Sequence, residues 1–186
     1  MVRIGVTGHR FLAEISKLRD GIDQALTRIA QTYPDEPWSV VSSLAEGADR
    51  LVVQRVLVAR PEARLIVPLP LAISEYVKDF TSGQSRAEFE DLLAQAAEVI
   101  DPPEVTSRSE GYWLAGRKML ERSDVLIALW DGQDSQGQGG TGEMVAIARQ
   151  KKLQLAWVKC GNRRPGTDEA TSLKEGKGKV SFEGRW

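Results

Sequence analysis

The residues best able to do chemistry fall in three short runs rich in glycine, hydroxyls and charge. They are Val6-Thr7-Gly8-His9-Arg10, Ser42-Ser43-Leu44-Ala45-Glu46-Gly47-Ala48-Asp49-Arg50 and Gly137-Gln138-Gly139-Gly140-Thr141-Gly142-Glu143. Each follows an apolar run and leads into an expected helix. Glycine lets the backbone approach an anion closely, and the first free N–H groups of a helix point at it. Gly139, Gly140, Thr141 and Gly142 are therefore candidate phosphate contacts, with Trp130 and Asp131 ending the strand before them. In the first run Gly8 permits a tight turn and Arg10 offers a planar fork for phosphate. His9 there is either an acid/base or a plain hydrogen-bonding residue. In the second run Ser42, Ser43, Glu46 and Gly47 crowd a helix start. Ser43 and Glu46 also have capping-box spacing, and Glu46 and Asp49 suit a helix N-terminus without any ligand. Three such turns in one small chain imply one nucleotide-sized site.

Other chemistries are poorly served. Gly137-Gln138-Gly139-Gly140-Thr141-Gly142 has the form G-x-G-x-x-G, but it follows the fifth expected strand, and no acidic residue ends a strand roughly 20 residues later. A conventional NAD site is a poor reading, no P-loop motif occurs, and no separate cofactor is called for. One histidine and one cysteine, Cys160, exclude a Cys/His zinc cluster, so no metal site is expected. A lone cysteine also suits a reducing, cytoplasmic setting. No signal peptide is evident, and no apolar run approaches the roughly 20 residues that span a bilayer, so no membrane partner is expected. The formal net charge of −1 provides no global attraction for nucleic acid.

The elements that position these turns alternate in type. Strands are expected at Val2–Thr7, Trp38–Ser42, Ala63–Pro68, Glu98–Asp101, Val125–Trp130 and Leu153–Lys159. Helices are expected over Leu12–Thr32, Glu46–Ala59, Arg86–Ala97, Glu110–Arg122 and Thr141–Lys151. Leu69–Gln84, with Tyr76 and Lys78 in it and Arg86 just after it, reads as a surface excursion or a lid. This order predicts an α/β fold: a Rossmann-like, doubly wound, mainly parallel sheet with helices on both faces. Residues 1–160 form that domain, and 161–186 read as a polar C-terminal tail with a short edge strand near Val180-Ser181-Phe182. Ligands of such sheets bind beyond the strands' carboxyl ends, where the winding reverses.

The three turns together resemble the SLOG superfamily, named for the Smf/DprA DNA-processing proteins and the LOG phosphoribohydrolases. Val40–Arg50 is similar to the hydroxyl-Gly-Leu-Ala-x-Gly-(Ile/Ala)-Asp turn of the Smf/DprA side, with Ser43 in place of the usual glycine. Gly8-His9-Arg10 resembles the Gly-Ser/Thr-Arg turn of the same group. Arg117-Lys118, Ser123-Asp124 and Gly139-Gly140-Thr141 resemble the LOG pattern of an Arg-Lys helix, a Ser/Ala-Asp strand start and Pro-Gly-Gly-x-Gly-Thr-x-x-Glu. By that resemblance Arg117 and Glu143 are the catalytic counterparts. Here, however, Asp131-Gly132 and a longer Gln/Ser/Gly insert replace the Pro-Gly-Gly turn. Glu143 follows Thr141 by two residues instead of three, and Met144 stands at the family's glutamate position. The combination is most like the stand-alone and nucleotide-sensing members.

The resemblance implies a domain that binds a nucleotide or nucleotide-derived small molecule at the three turns. A first alternative is a LOG-like nucleoside 5′-monophosphate phosphoribohydrolase using Glu143 and Arg117. A second is single-stranded DNA binding, which the near-neutral charge disfavours. Tyr112, Trp113 and Leu114 add more apolar surface than one buried stripe requires, so a homodimer or larger homo-oligomer is also an expectation.

Overall fold

The structure, a computed structural model, describes residues 1–134, 137–163 and 175–186. Seven strands form one sheet: β1 (Val2–Gly8), β2 (Trp38–Val41), β3 (Arg64–Pro68), β4 (Ala96–Ile100), β5 (Val125–Trp130), β6 (Gln154–Lys159) and β7 (Val180–Glu183). Their order across the sheet is β4-β3-β2-β1-β5-β6-β7. All neighbours pair in parallel except β6 and β7, which are antiparallel. The helices are α1 (Ile15–Thr32), α2 (Ala48–Ala59), α3 (Ile73–Tyr76), α4 (Gly83–Leu93), α5 (Arg108–Glu121) and α6 (Thr141–Gln150), with a 3-10 turn at Val77–Asp79. This is the Rossmann-like, doubly wound arrangement. None of the helices searched among the described residues is long and apolar enough to cross a membrane.

Both faces of the central sheet are covered, so β5 is apolar and buried throughout instead of alternating with polar residues. On β5, Val125, Ile127 and Leu129 join the core under α1 and α2, while Leu126, Ala128 and Trp130 pack with Met119 and Leu120 of α5 and Val145 and Ala148 of α6. In α1, Leu18, Ile22, Ala25, Leu26 and Ile29 make the buried stripe, at helical spacing. The helix begins at Ile15, not Leu12, after Glu14 in a left-handed conformation.

Three local features bear on the site. The stretch 69–84 holds α3 and the 3-10 turn, and Tyr76 and Phe80 from it are buried with Phe89. Helix α2 begins at Ala48 with Gly47 as its N-cap, so Ser43 and Glu46 form no capping box. Residues 175–186 lie against the body: Gly178 packs on α1 close to Lys17, Lys177 pairs with Glu14 at 2.7 Å, and β7 extends the sheet. The remainder of the expected tail, 164–174, lies outside the described residues.

Candidate functional site

Strand order reverses between β1 and β5, because β1 leads through α1 to β2 on one side while β5 continues to β6 on the other. Helices entering and leaving those carboxyl ends diverge, leaving a crevice. It measures about 1070 Å³. Gly8, His9, Arg10, Ser43, Trp130, Asp131, Gly139, Gly140, Thr141 and Gly142 all line it. Ser42, Glu46, Gly47, Arg117 and Glu143 do not.

The first two turns lock together. At Gly47, φ is 83°, and an added Cβ would lie 2.2 Å from the Arg10 carbonyl oxygen. Glycine alone fits that crossing. It brings the Ala48 N–H to the His9 carbonyl at 3.1 Å, so a neighbouring loop satisfies the start of α2. The His9 ring sits at the strand ends, its Nε2 3.2 Å from the Asp131 N–H and 3.1 Å from Asp131 Oδ1. Arg10 donates to Glu46 Oε2 and to the Asp79 carbonyl, each at 2.6 Å. Glu46 also accepts from the Thr81 N–H and the Thr81 and Ser85 hydroxyls. Burial opposes its ionisation, but these hydrogen bonds prevail and hold its pKa down to about 2. Glu46 thus fastens Thr81 and Ser85 instead of facing a ligand, while its partner Arg10 holds Asp79.

Asp49 lies on the first turn of α2 and lines the crevice. Its Oδ2 accepts the Ser42 hydroxyl at 2.8 Å, and that hydroxyl oxygen takes the Leu44 N–H at 3.0 Å. Burial raises its pKa to about 6, against the pull of Ser42, the Ala45 and Ser43 N–H groups and Arg50. Arg50 itself is committed to structure, donating to the Leu44 carbonyl, Ser85 and Glu88 while stacking on Phe80. The Ser43 hydroxyl donates to the Pro68 carbonyl at 2.8 Å.

The third turn is organised by Glu143. Its carboxylate accepts the Gly139 N–H at 2.7 Å and the Trp113 indole N–H at 2.9 Å. Reaching back from the third residue of α6, it closes the glycine loop as a capping-box glutamate would. Met144, one position on and rotated by about 100°, lines the crevice instead. The N–H groups of Thr141, Gly142 and Glu143 have no acceptor among the described residues, because the first bond within α6 runs from Met144 to Gly140. Among the described residues no side chain caps this helix start, and Gly139 to Gly142 form the crevice wall there. Trp130 packs on Trp157 at 5.2 Å and lies beneath Arg149, so most of its ring is used inside the fold.

No family model and no curated protein matches the chain.

Arg117 stands outside the crevice. It lines a separate groove of about 300 Å³ beside Asp101 and Glu121, stacks on Trp113 and lies 3.9 Å from the Glu121 carboxylate. Arg117 and Glu143 therefore do not meet in one site. Tyr112 and Trp113 are likewise used internally, by Asp79 and Glu143. Among the described residues no group of three or more His, Cys, Asp or Glu side chains is placed to hold a metal. The sequence reading passed over Asp49 as a site residue, and it missed Tyr112, Gly116, Met119 and Asn162, which also line the crevice. Asp49 was visible in its motif. Tyr76, named in the sequence only as part of a surface excursion or a lid, lines the crevice too.

Proposed function

We propose that this protein binds a nucleotide or nucleotide-derived anion in the crevice, as a sensor or ligand-holding domain. The observation that carries this reading is the start of α6: three backbone N–H groups without acceptors among the described residues, at the rim of a crevice where the strand order reverses. A helix N-terminus of that kind favours a phosphate through both its hydrogen bonds and its dipole. Gly139 and Gly140 keep side chains off the approach, and His9 and Asp131 supply polar groups along the floor. The likeness to the nucleotide-sensing SLOG domains supports the same reading, and the lone buried Cys160 fits a cytoplasmic setting.

Hydrolysis by Arg117 and Glu143 has less support, since one faces another groove and the other is held by Trp113 and Gly139. Binding of single-stranded DNA has less support as well: the formal net charge is −1, and Arg10 is already engaged by Glu46 and the Asp79 carbonyl. Titration calorimetry with nucleoside mono-, di- and triphosphates, ADP-ribose and cyclic nucleotides tests the proposal. Saturable binding by at least one is expected; no heat from any of them at millimolar concentration, with folded protein, rejects it.

A further inference from the structure

Tyr76 ends α3 and lines the crevice, yet it is only 1% exposed. Its ring meets Phe80, Phe89 and Tyr112 edge-on, at 5.0, 5.5 and 5.9 Å. Its hydroxyl has no hydrogen-bond partner among the described residues. An unpaired buried hydroxyl is destabilising, and phenylalanine would fill the same aromatic nest without it. Packing therefore accounts for the ring of Tyr76 but not for its oxygen.

Asp49 lines the same crevice from α2 and is 8% exposed. Burial, and behind it the negative charge of Asp49, push the Tyr76 hydroxyl's pKa up, and no hydrogen bond joins the two. Both residues thus line one crevice, and the Tyr76 hydroxyl is left without a partner there. The group that satisfies both is another hydroxyl, which donates to the carboxylate and accepts from the phenol. The phosphate-favouring start of α6 follows β5, whereas Asp49 and Tyr76 follow β2 and β3. Anion and hydroxyl recognition thus come from opposite sides of β1.

We propose that Tyr76 and Asp49 hold the ribose hydroxyls of the bound nucleotide, so that the crevice selects ribonucleotides over their deoxy forms. This rests on the nucleotide reading above. A carboxylate that keeps a sugar hydroxyl as its partner rejects the analogue lacking it, because its desolvated oxygen is then left unmatched.

The test is calorimetric titration of the full chain with the four ribonucleoside 5′-monophosphates, each beside its 2′-deoxy and 3′-deoxy forms. Tyr76→Phe and Asp49→Asn are titrated in parallel, with thermal unfolding of each protein. A ribonucleotide is expected to bind, with a deoxy form about tenfold weaker. Tyr76→Phe should narrow that preference to about twofold while unfolding at the same or a higher temperature. Asp49→Asn should narrow it as well. Equal binding of ribo and deoxy forms, or a preference unchanged in Tyr76→Phe, overturns the proposal and leaves a trapped water as the partner of the hydroxyl. If no monophosphate binds the folded wild type, the nucleotide reading itself fails, and the ribose assignment with it.

Discussion

Replacing Asp49 by asparagine should make the protein more stable at pH 8 and remove a specific pH dependence. The Asp49 carboxyl titrates at about 6 in the folded protein, against 3.8 when solvated, and burial is the main cause. A raised folded pKa means that the native state holds this proton more tightly than the unfolded chain. Its contribution to stability is therefore full below about pH 4 and is lost as pH rises through 6. A shift of about two units, at about 1.36 kcal/mol each, amounts to about 3 kcal/mol. Asparagine does not titrate, so the gap between variant and wild type should widen by about 3 kcal/mol from pH 4 to pH 8. Asparagine also has one acceptor oxygen where aspartate has two, which lowers the variant's curve by about 1 kcal/mol at every pH. The net gain at pH 8 is about 2 kcal/mol. Urea unfolding at half-unit pH steps, with the denaturant slope held common, measures it. Curves that stay parallel across this range would show that Asp49 is not held in a desolvated site, and would remove its claim to a functional role.

Other consequences follow from the same geometry. Thr141→Pro removes one free N–H at the first position of α6, where proline is tolerated and the preceding Gly140 is already extended (φ −76°, ψ 163°). Calorimetry should show nucleotide affinity reduced by about tenfold with the melting temperature nearly unchanged. Glu143→Gln should weaken the loop clasp on Gly139 and Trp113 by about 1–2 kcal/mol, read as faster amide exchange at Gly139, while leaving anion contacts in place. Glu46 has the opposite sign to Asp49: its folded pKa is about 2, so its contribution is present above about 4.5 and lost as pH falls toward 2. Glu46→Gln should flatten acid unfolding in that window. Gly47→Ala forces a positive φ on a side chain that meets the Arg10 carbonyl, and should cost at least about 2 kcal/mol in urea unfolding.

Much of the molecule was legible in the chain alone. Apolar runs such as Val125–Trp130 and the stripe Leu18, Ile22, Ala25, Leu26, Ile29 specify strands and helices locally, because burial on both faces or on one leaves a periodic trace. Their alternation dictates a parallel sheet, and parallel strands place every strand-to-helix turn at the same edge. That is why Gly8, Ser43 and Gly140 come together at one crevice despite lying far apart in sequence.

Only the tertiary structure decided which atoms of those turns face inward. Glu143 and Met144 differ by one residue, so helical rotation sends the carboxylate to Trp113 and the thioether to the crevice. The start of α2 depends on how Gly47 crosses the Arg10 carbonyl, which no local capping pattern contains, and that crossing leaves Glu46 to fasten Thr81 and Ser85. Tyr76 reaches the site because Phe80 and Phe89 bury the segment that carries it. Local sequence encodes the period and order of the elements. The phase of a helix and the path of a loop answer to distant contacts, and here those contacts determine which polar groups remain for a ligand.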